Sequence, residues 1–253
     1  MQSIDNKKTV RLFYRFISGW VLKLLISIAC ANIPQVVMAQ ASSVIKQPVK
    51  DVEPYLDSAA QRLEKQFGKN KIIPARFRPQ ILYALSYFPS LANTRIIFTI
   101  KKSTGGIIST RPTTAGLFRR SSKRTYLVVI NDTVKGRTLP VFGSAPRNAQ
   151  VGILGHELCH ILYFNGRTGA GLLGLGIGHV SKKYIDRFEY ATDSVDIAQG
   201  LGYQLLSWKL YLDSAFRKRS PDGLPSFATD TSRRRYMRAD EIRVAIARNS
   251  AYR

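Results

Sequence analysis

Cysteine, histidine and acidic side chains are all scarce in this sequence. Of 253 residues two are cysteine, three are histidine, and Asp and Glu number 16 against 39 Lys and Arg. Cys30 falls in an N-terminal segment that reads as a leader, which leaves Cys159 alone. A lone cysteine forms no internal disulfide, so the domain is held by its core rather than by covalent staples. With 45% hydrophobic residues, a chain of this length can build one full-sized core. No apolar run of about 20 residues follows the leader, so no membrane-spanning helix is expected there. No solenoid or propeller period is visible either.

The leader has three parts. Lys7, Lys8, Arg11, Arg15 and Lys23 are positive, Leu24 to Ala31 is a short apolar run, and Val37-Met38-Ala39 offers small residues for cleavage. That order reads as a signal peptide over 1–39, cut after Ala39 or Ala41, with an uncleaved anchor as the alternative. A lipoprotein built on Cys30 is disfavoured by the approach Ser27-Ile28-Ala29. The chain is therefore expected to be exported, periplasmic or secreted. A polar linker is expected over 40–50 and one domain over 51–253.

The formal charge is +23, of which the leader carries +4, leaving +19 beyond it. Basic clusters stand at Arg119-Arg120-Ser121-Ser122-Lys123-Arg124, at Arg217-Lys218-Arg219, and at Arg233-Arg234-Arg235 with Arg238. Such a balance attracts acidic partners. No zinc-finger, RNP-type or KH-type signature accompanies the clusters, so specific nucleic-acid recognition is not expected. A generally basic, solvated surface is the simpler reading, and an anionic envelope surface is the partner it would suit.

Helical spacing of Leu56, Ala59, Ala60, Leu63 and Phe67 predicts a helix over 52–67, and a second follows Pro74 and stops near Pro89. Three β-like stretches come next, at 95–100, 105–110 and 125–130, and Asn131-Asp132 with Gly136 ends the last as a turn. Ser144 and Pro146 then announce a helix, and Asn165-Gly166 ends it. Its residues are apolar on most sides, as in a helix buried mid-domain. Gly169 to Gly178 reads as a glycine-rich loop. Within it Gly169-Ala-Gly171-Leu-Leu-Gly174 matches a dinucleotide fingerprint only formally, because it follows a helix and not a strand. Another helix starts near Ser181, breaks at Gly200 and Gly202, and resumes to about Phe216. Ser220 to Ser226 reads as a loop and Ala239 to Ala247 as a terminal helix. The order helix, strands, helices predicts one α+β domain.

His156-Glu157-Leu158-Cys159-His160 carries the chemistry. Residues four apart on a helix lie about 40° apart around its axis, so both imidazoles face one side. One zinc ion can then be held by both, while Glu157 takes a proton from a water at the metal. Two of the three histidines and one of only five glutamates fall in this pattern. Two histidines and a glutamate buried without partners would cost several kcal/mol, and a metal is the simplest compensation. Cys159, inside the same helix, is expected to act as a small buried hydrophobe.

A catalytic zinc takes three protein ligands. The metzincin continuation would need glycine at 163 and histidine at 166, where the chain has Tyr163 and Gly166. His179, Asp186 and Asp196 are open alternatives for the third ligand. Glu189 is the better one, because Glu189 and Asp193 stand four apart on one face of the next helix. One can complete the metal shell while the other hydrogen-bonds a ligand histidine. The contrary reading leaves both carboxylates facing solvent.

This pattern, HExxH followed by ExxxD on the next helix, resembles the gluzincin peptidases of the HtpX and CAAX-prenyl-protease family over about 125–199. The resemblance implies a zincin-like domain with a small sheet before the motif helix. It also implies His156, His160 and Glu189 as zinc ligands, Glu157 as base and Asp193 as support to a ligand histidine. The terminal run Arg235-Tyr236-Met237-Arg238-Ala239-Asp240-Glu241-Ile242 is similar, more faintly, to a segment of such proteins. Thr192 stands where the family commonly has alanine, and family members often carry transmembrane helices. A soluble exported member is implied, a zinc metallopeptidase expected to be an endopeptidase, hydrolysing peptide bonds in exported or envelope proteins. Strand 125–130 is expected as the edge on which a peptide substrate pairs. Neither His179 nor Tyr203 has a firm claim as oxyanion helper. The rival reading is a basic envelope-surface binding protein with a structural or vestigial zinc site. A zinc amidase cutting a non-peptide bond shares every residue of the first.

Overall fold

The computed structural model describes residues 46–101, 106–132, 140–178, 181–219 and 235–253, and of 173, 175–178 and 219 the backbone alone. The signal-peptide region and the expected 220–226 loop lie outside the described residues, as does most of the turn after 130. Two short helices open the domain, α1 (Glu53–Leu56) and α2 (Ala60–Phe67), where one continuous helix is expected. Leu56, Leu63 and Phe67 still point to one core. Strand β1 (Lys71–Ile72) is too short to register as a pattern. Helix α3 (Arg78–Leu85) follows Pro74 as expected, through a single 3₁₀ turn.

Strands β2 (Arg95–Ile100), β3 (Ile108–Pro112) and β4 (Thr125–Ile130) complete a four-stranded mixed sheet of order β1-β2-β4-β3. β1, β2 and β4 run parallel, and β3 returns antiparallel with Ile108 opposite Ile130. This corrects one expectation. β4 is interior, and β3 is the edge, because the chain after β2 crosses to the far side of β4's position before turning back. The alternation of Tyr126, Val128 and Ile130, all fully buried, with half-buried neighbours places one face of β4 on the core.

Helix α4 (Thr114–Leu117) is one capped turn after β3. Helix α5 (Arg147–Asn165) runs through the centre, and every residue from Ala149 to Phe164 is buried. It starts after a 3₁₀ turn that includes Ser144, so Pro146, not the serine, precedes its first turn, and Gly166 ends it. Gly169 to Gly178, expected as a loop, is helix α6. Leu172 is buried beneath it and its start abuts Leu117, so packing overrides the low helix propensity of glycine. Helix α7 (Lys182–Asp196) is capped by Ser181, whose hydroxyl accepts from the Tyr184 N–H. A π-helical segment, Ile197–Leu201, joins it to α8 (Gly202–Arg219), with Gly200 at φ 100°. That φ is open to glycine and strained for other residues. Helix α9 (Ala239–Arg248) packs Ile242 and Ile246 on Ile197 and Leu205. The Tyr252 hydroxyl stitches the π segment, accepting from Gly202 N–H at 2.7 Å and donating to Ile197 O at 2.6 Å.

The α+β class and the small sheet before the motif helix are as expected. Among the described residues no helix is long and apolar enough to cross a membrane. The stretch 46–50 lies on the domain: Lys46 Nζ sits 3.7 Å over the Tyr83 ring, and Gln204 Nε2 donates to Val49 O at 2.8 Å.

α5 and α8 approach so closely at Gly152 that a Cβ there would stand 2.2 Å from the Gln204 carbonyl oxygen. That neighbour is backbone and cannot swing away. Gly152→Ala is therefore expected to cost about 1–3 kcal/mol, which lowers the thermal midpoint by about 2–4 °C per kcal/mol in a chain of this size. Gly174→Ala, where an added Cβ meets nothing within 4 Å, is expected to leave the midpoint unchanged or raise it. Calorimetry on the two variants checks both, and equal midpoints would contradict the packing account.

Candidate metal centre

The site forms where α5 and α7 lie side by side. His156, Glu157 and His160 are 3%, 5% and 7% exposed, and one ligand atom of each lies within 4.8 Å of the others. This buried group could hold a metal ion. Glu189 adds a carboxylate from α7. Its Oε2 lies 3.1 Å from His156 Nε2 and 3.5 Å from His160 Nε2. A tetrahedral ion with bonds of about 2.0–2.1 Å separates its ligand atoms by roughly 3.3–3.4 Å. The two observed separations bracket that edge.

Asp193, one turn beyond Glu189, takes the other side of His156. Its Oδ1 accepts from Nδ1 at 2.8 Å, which turns Nε2 toward Glu189. Its Oδ2 accepts the Met237 N–H at 2.8 Å. One carboxylate thus fixes the tautomer of a candidate ligand and ties the terminal segment to the site. His160 is held differently. Its ring stacks between Phe188 at 5.1 Å and Phe164 at 6.2 Å, and its Nδ1 has no hydrogen-bond partner in the protein. Glu157 Oε2 is likewise buried and unpartnered.

The charges of this cluster are interdependent. Burial works against a charged His156, yet its hydrogen bonds to Asp193 and Glu189 outweigh burial and raise its pKa well above the ordinary histidine range. Burial would raise Glu189 too, and its interactions with His156 and His160 hold it below the ordinary carboxylate range instead. In effect a proton on His156 neutralises Glu189 in the metal-free protein.

Of the other ligand candidates, Asp186 lies 3.4 Å from Arg235 Nε in an ion pair. Asp196 backs onto α5 at Gly155, where an added Cβ would stand 2.3 Å from its Oδ1. It is fully buried, and burial together with the nearby Asp193 pushes its carboxyl well up. His179 lies outside the described residues. Tyr203 packs on Tyr252, ring centroids 5.2 Å apart. Cys159 is buried, and burial with the acidic groups around it raises its thiol out of reactive range.

Two participants escaped sequence reasoning. The Tyr236 ring stands 5.9 Å from the His156 ring, and although the residue as a whole is 45% exposed, desolvation of its hydroxyl and the carboxylates of Glu189, Glu157 and Asp193 push its phenol above the ordinary tyrosine range. Met237 contributes only a backbone N–H, which no motif records. The faint similarity of 235–242 to a family segment was the one signal available for either. Comparison with protein-family models, with characterised proteins and with solved structures finds no match.

A metal can use His156 only after its proton leaves. Because that proton is held to unusually high pH, metal affinity is expected to weaken as pH falls through and below that range. Calorimetric zinc titrations in buffers of differing ionisation enthalpy are expected to show release of about one proton near neutrality. Asp193→Asn is expected to weaken zinc about 10–100-fold, and unchanged affinity in that variant would contradict its role.

Proposed function

We propose that the chain is a zinc metallopeptidase, an endopeptidase of zincin-like fold acting on peptide or protein substrates outside the cytoplasm. The observation that carries this reading is the convergence of Glu189 Oε2 on both Nε2 atoms, with Asp193 fixing His156 from behind. His156, His160 and Glu189 would hold the ion. When bound, zinc polarises a substrate carbonyl and lowers the pKa of a water toward about 7.

Glu157 neighbours His156 in sequence but is not needed as a ligand. Its Oε2 has no protein partner, so it is free to take a proton from the attacking water and pass it to the leaving amine. A purely structural site would need no such carboxylate. Phe164 and Phe188 exclude water around His160, which strengthens every electrostatic interaction nearby. Tyr236, kept protonated, can donate a hydrogen bond to the oxygen on which charge develops. Among the described residues β3 is one of the sheet's two end strands, and it lies along α5. An extended peptide adding to its open edge would run beside the motif helix.

Cleavage of casein by the zinc-loaded protein is expected to vanish in Glu157→Gln, with zinc content retained. Tyr236→Phe is expected to lower kcat by about 10² with little change in KM. Undiminished cleavage by Glu157→Gln would overturn the mechanism. Zinc retention with no cleavage by either the parent or the variant would favour the surface-binding reading.

A further inference from the structure

We infer that the connection between β3 and β4 is a docking surface for an anionic phospholipid bilayer. Phe118 is 81% exposed, the most open of the large apolar side chains among the described residues. Arg119, Arg120 and Lys123 beside it are all exposed. No Asp or Glu occurs between Glu64 and Asp132, while that stretch contains 13 Lys and Arg. Along the chain the knob is therefore flanked by charge of one sign.

An exposed phenylalanine would normally fold back onto nearby apolar surface, and here the backbone is held so that it stays out. Thr113 Oγ1 accepts from Gly116 N–H and caps the turn before it. Arg124, only 2% exposed, donates to the carbonyls of Arg119, Phe164 and Arg167 at 3.0, 2.9 and 2.7 Å. Its cation sits on the negative end of α5 and pins the loop there. α6 begins against the same turn: an added Cβ on Gly169 would stand 3.0 Å from Leu117 O. Its ten residues, GAGLLGLGIG, include no polar side chain, and the exposed Lys182 and Lys183 follow.

An aromatic side chain that enters the acyl boundary while arginines stay on phosphates is the chemistry of an interfacial anchor. Charge complementarity selects anionic lipid. α6, whose sequence carries no charge and whose start abuts the knob's turn, offers a polyphosphate chain nothing to pair with, which favours a bilayer. Phe164, whose carbonyl Arg124 binds, is one helical turn beyond His160, so docking would present the metal centre to segments lying close to the membrane.

The test is co-sedimentation of the full chain with vesicles of phosphatidylcholine, alone and mixed equally with phosphatidylglycerol. Binding is expected only to the mixed vesicles and to weaken with salt. Phe118→Ser, and separately Arg119→Glu with Arg120→Glu, are each expected to reduce it at least about tenfold. A matched reversal at and just beyond the end of α2, Lys65→Glu with Lys69→Glu, is expected to reduce it far less. Phe118→Trp is expected to shift its emission to the blue on mixed vesicles, relative to the parent protein. Equal losses from the loop and α2 reversals, an unshifted emission, or no binding to mixed vesicles would each overturn the proposal. Oligonucleotide binding lost in Phe118→Ser while vesicle binding persists would assign the patch to nucleic acid and overturn it too. None of these residues belongs to the metal cluster, so docking is expected to survive Glu157→Gln and to fail or hold independently of the peptidase reading.

Discussion

Helix α5 is buried on every side from Ala149 to Phe164, and it brings two imidazoles and a carboxylate into that interior. A polar group left there without a partner costs about 2–7 kcal/mol, so the elements around α5 must supply partners. α7 does so with two carboxylates one turn apart. Glu189 meets both Nε2 atoms and Asp193 meets the far side of His156. Gly152 lets α8 reach van der Waals range of the α5 backbone, and Gly155 leaves room for the buried Asp196. At the other end Arg124 donates to the carbonyls of Phe164 and Arg167 and fastens the β3–β4 connection to α5.

The carboxyl-terminal part of the chain depends on the same requirement. α7 passes through a π segment, with Gly200 at positive φ, before α8 turns against α5. α9 packs on that segment, and the residue two before it donates its N–H to Asp193. The terminal segment therefore helps fix the tautomer of a histidine some eighty residues earlier in sequence. π segments of this kind are frequent at functional sites, and here the irregularity redirects the chain so that a backbone donor and Tyr236 reach the cluster.

The parts most legible in sequence were those set by local pattern. β2 and β4 follow from runs of β-branched and aromatic residues, α5 from its continuous apolar sequence ended at Asn165-Gly166, and the facing imidazoles from helical spacing. Glu189 and Asp193 share a helix face for the same reason. What depends on tertiary placement was not legible. β4 looked like an edge because its own sequence says nothing of β3 lying beyond it. Gly169–Gly178 looked like a loop because its glycines disfavour a helix that packing nevertheless stabilises. Tyr236 and the Met237 N–H reach the site through the path of the chain, and a backbone donor leaves no mark on residue identity.

The central claim is that His156, His160 and Glu189 form one metal centre. X-ray absorption at the zinc edge on the zinc-loaded protein tests it most directly. The account predicts one zinc per chain, with two imidazole nitrogens and a carboxylate oxygen at about 2.0–2.1 Å, and loss of that oxygen in Glu189→Ala. A shell with fewer than two imidazoles, or one that is the same with and without Glu189, would contradict it.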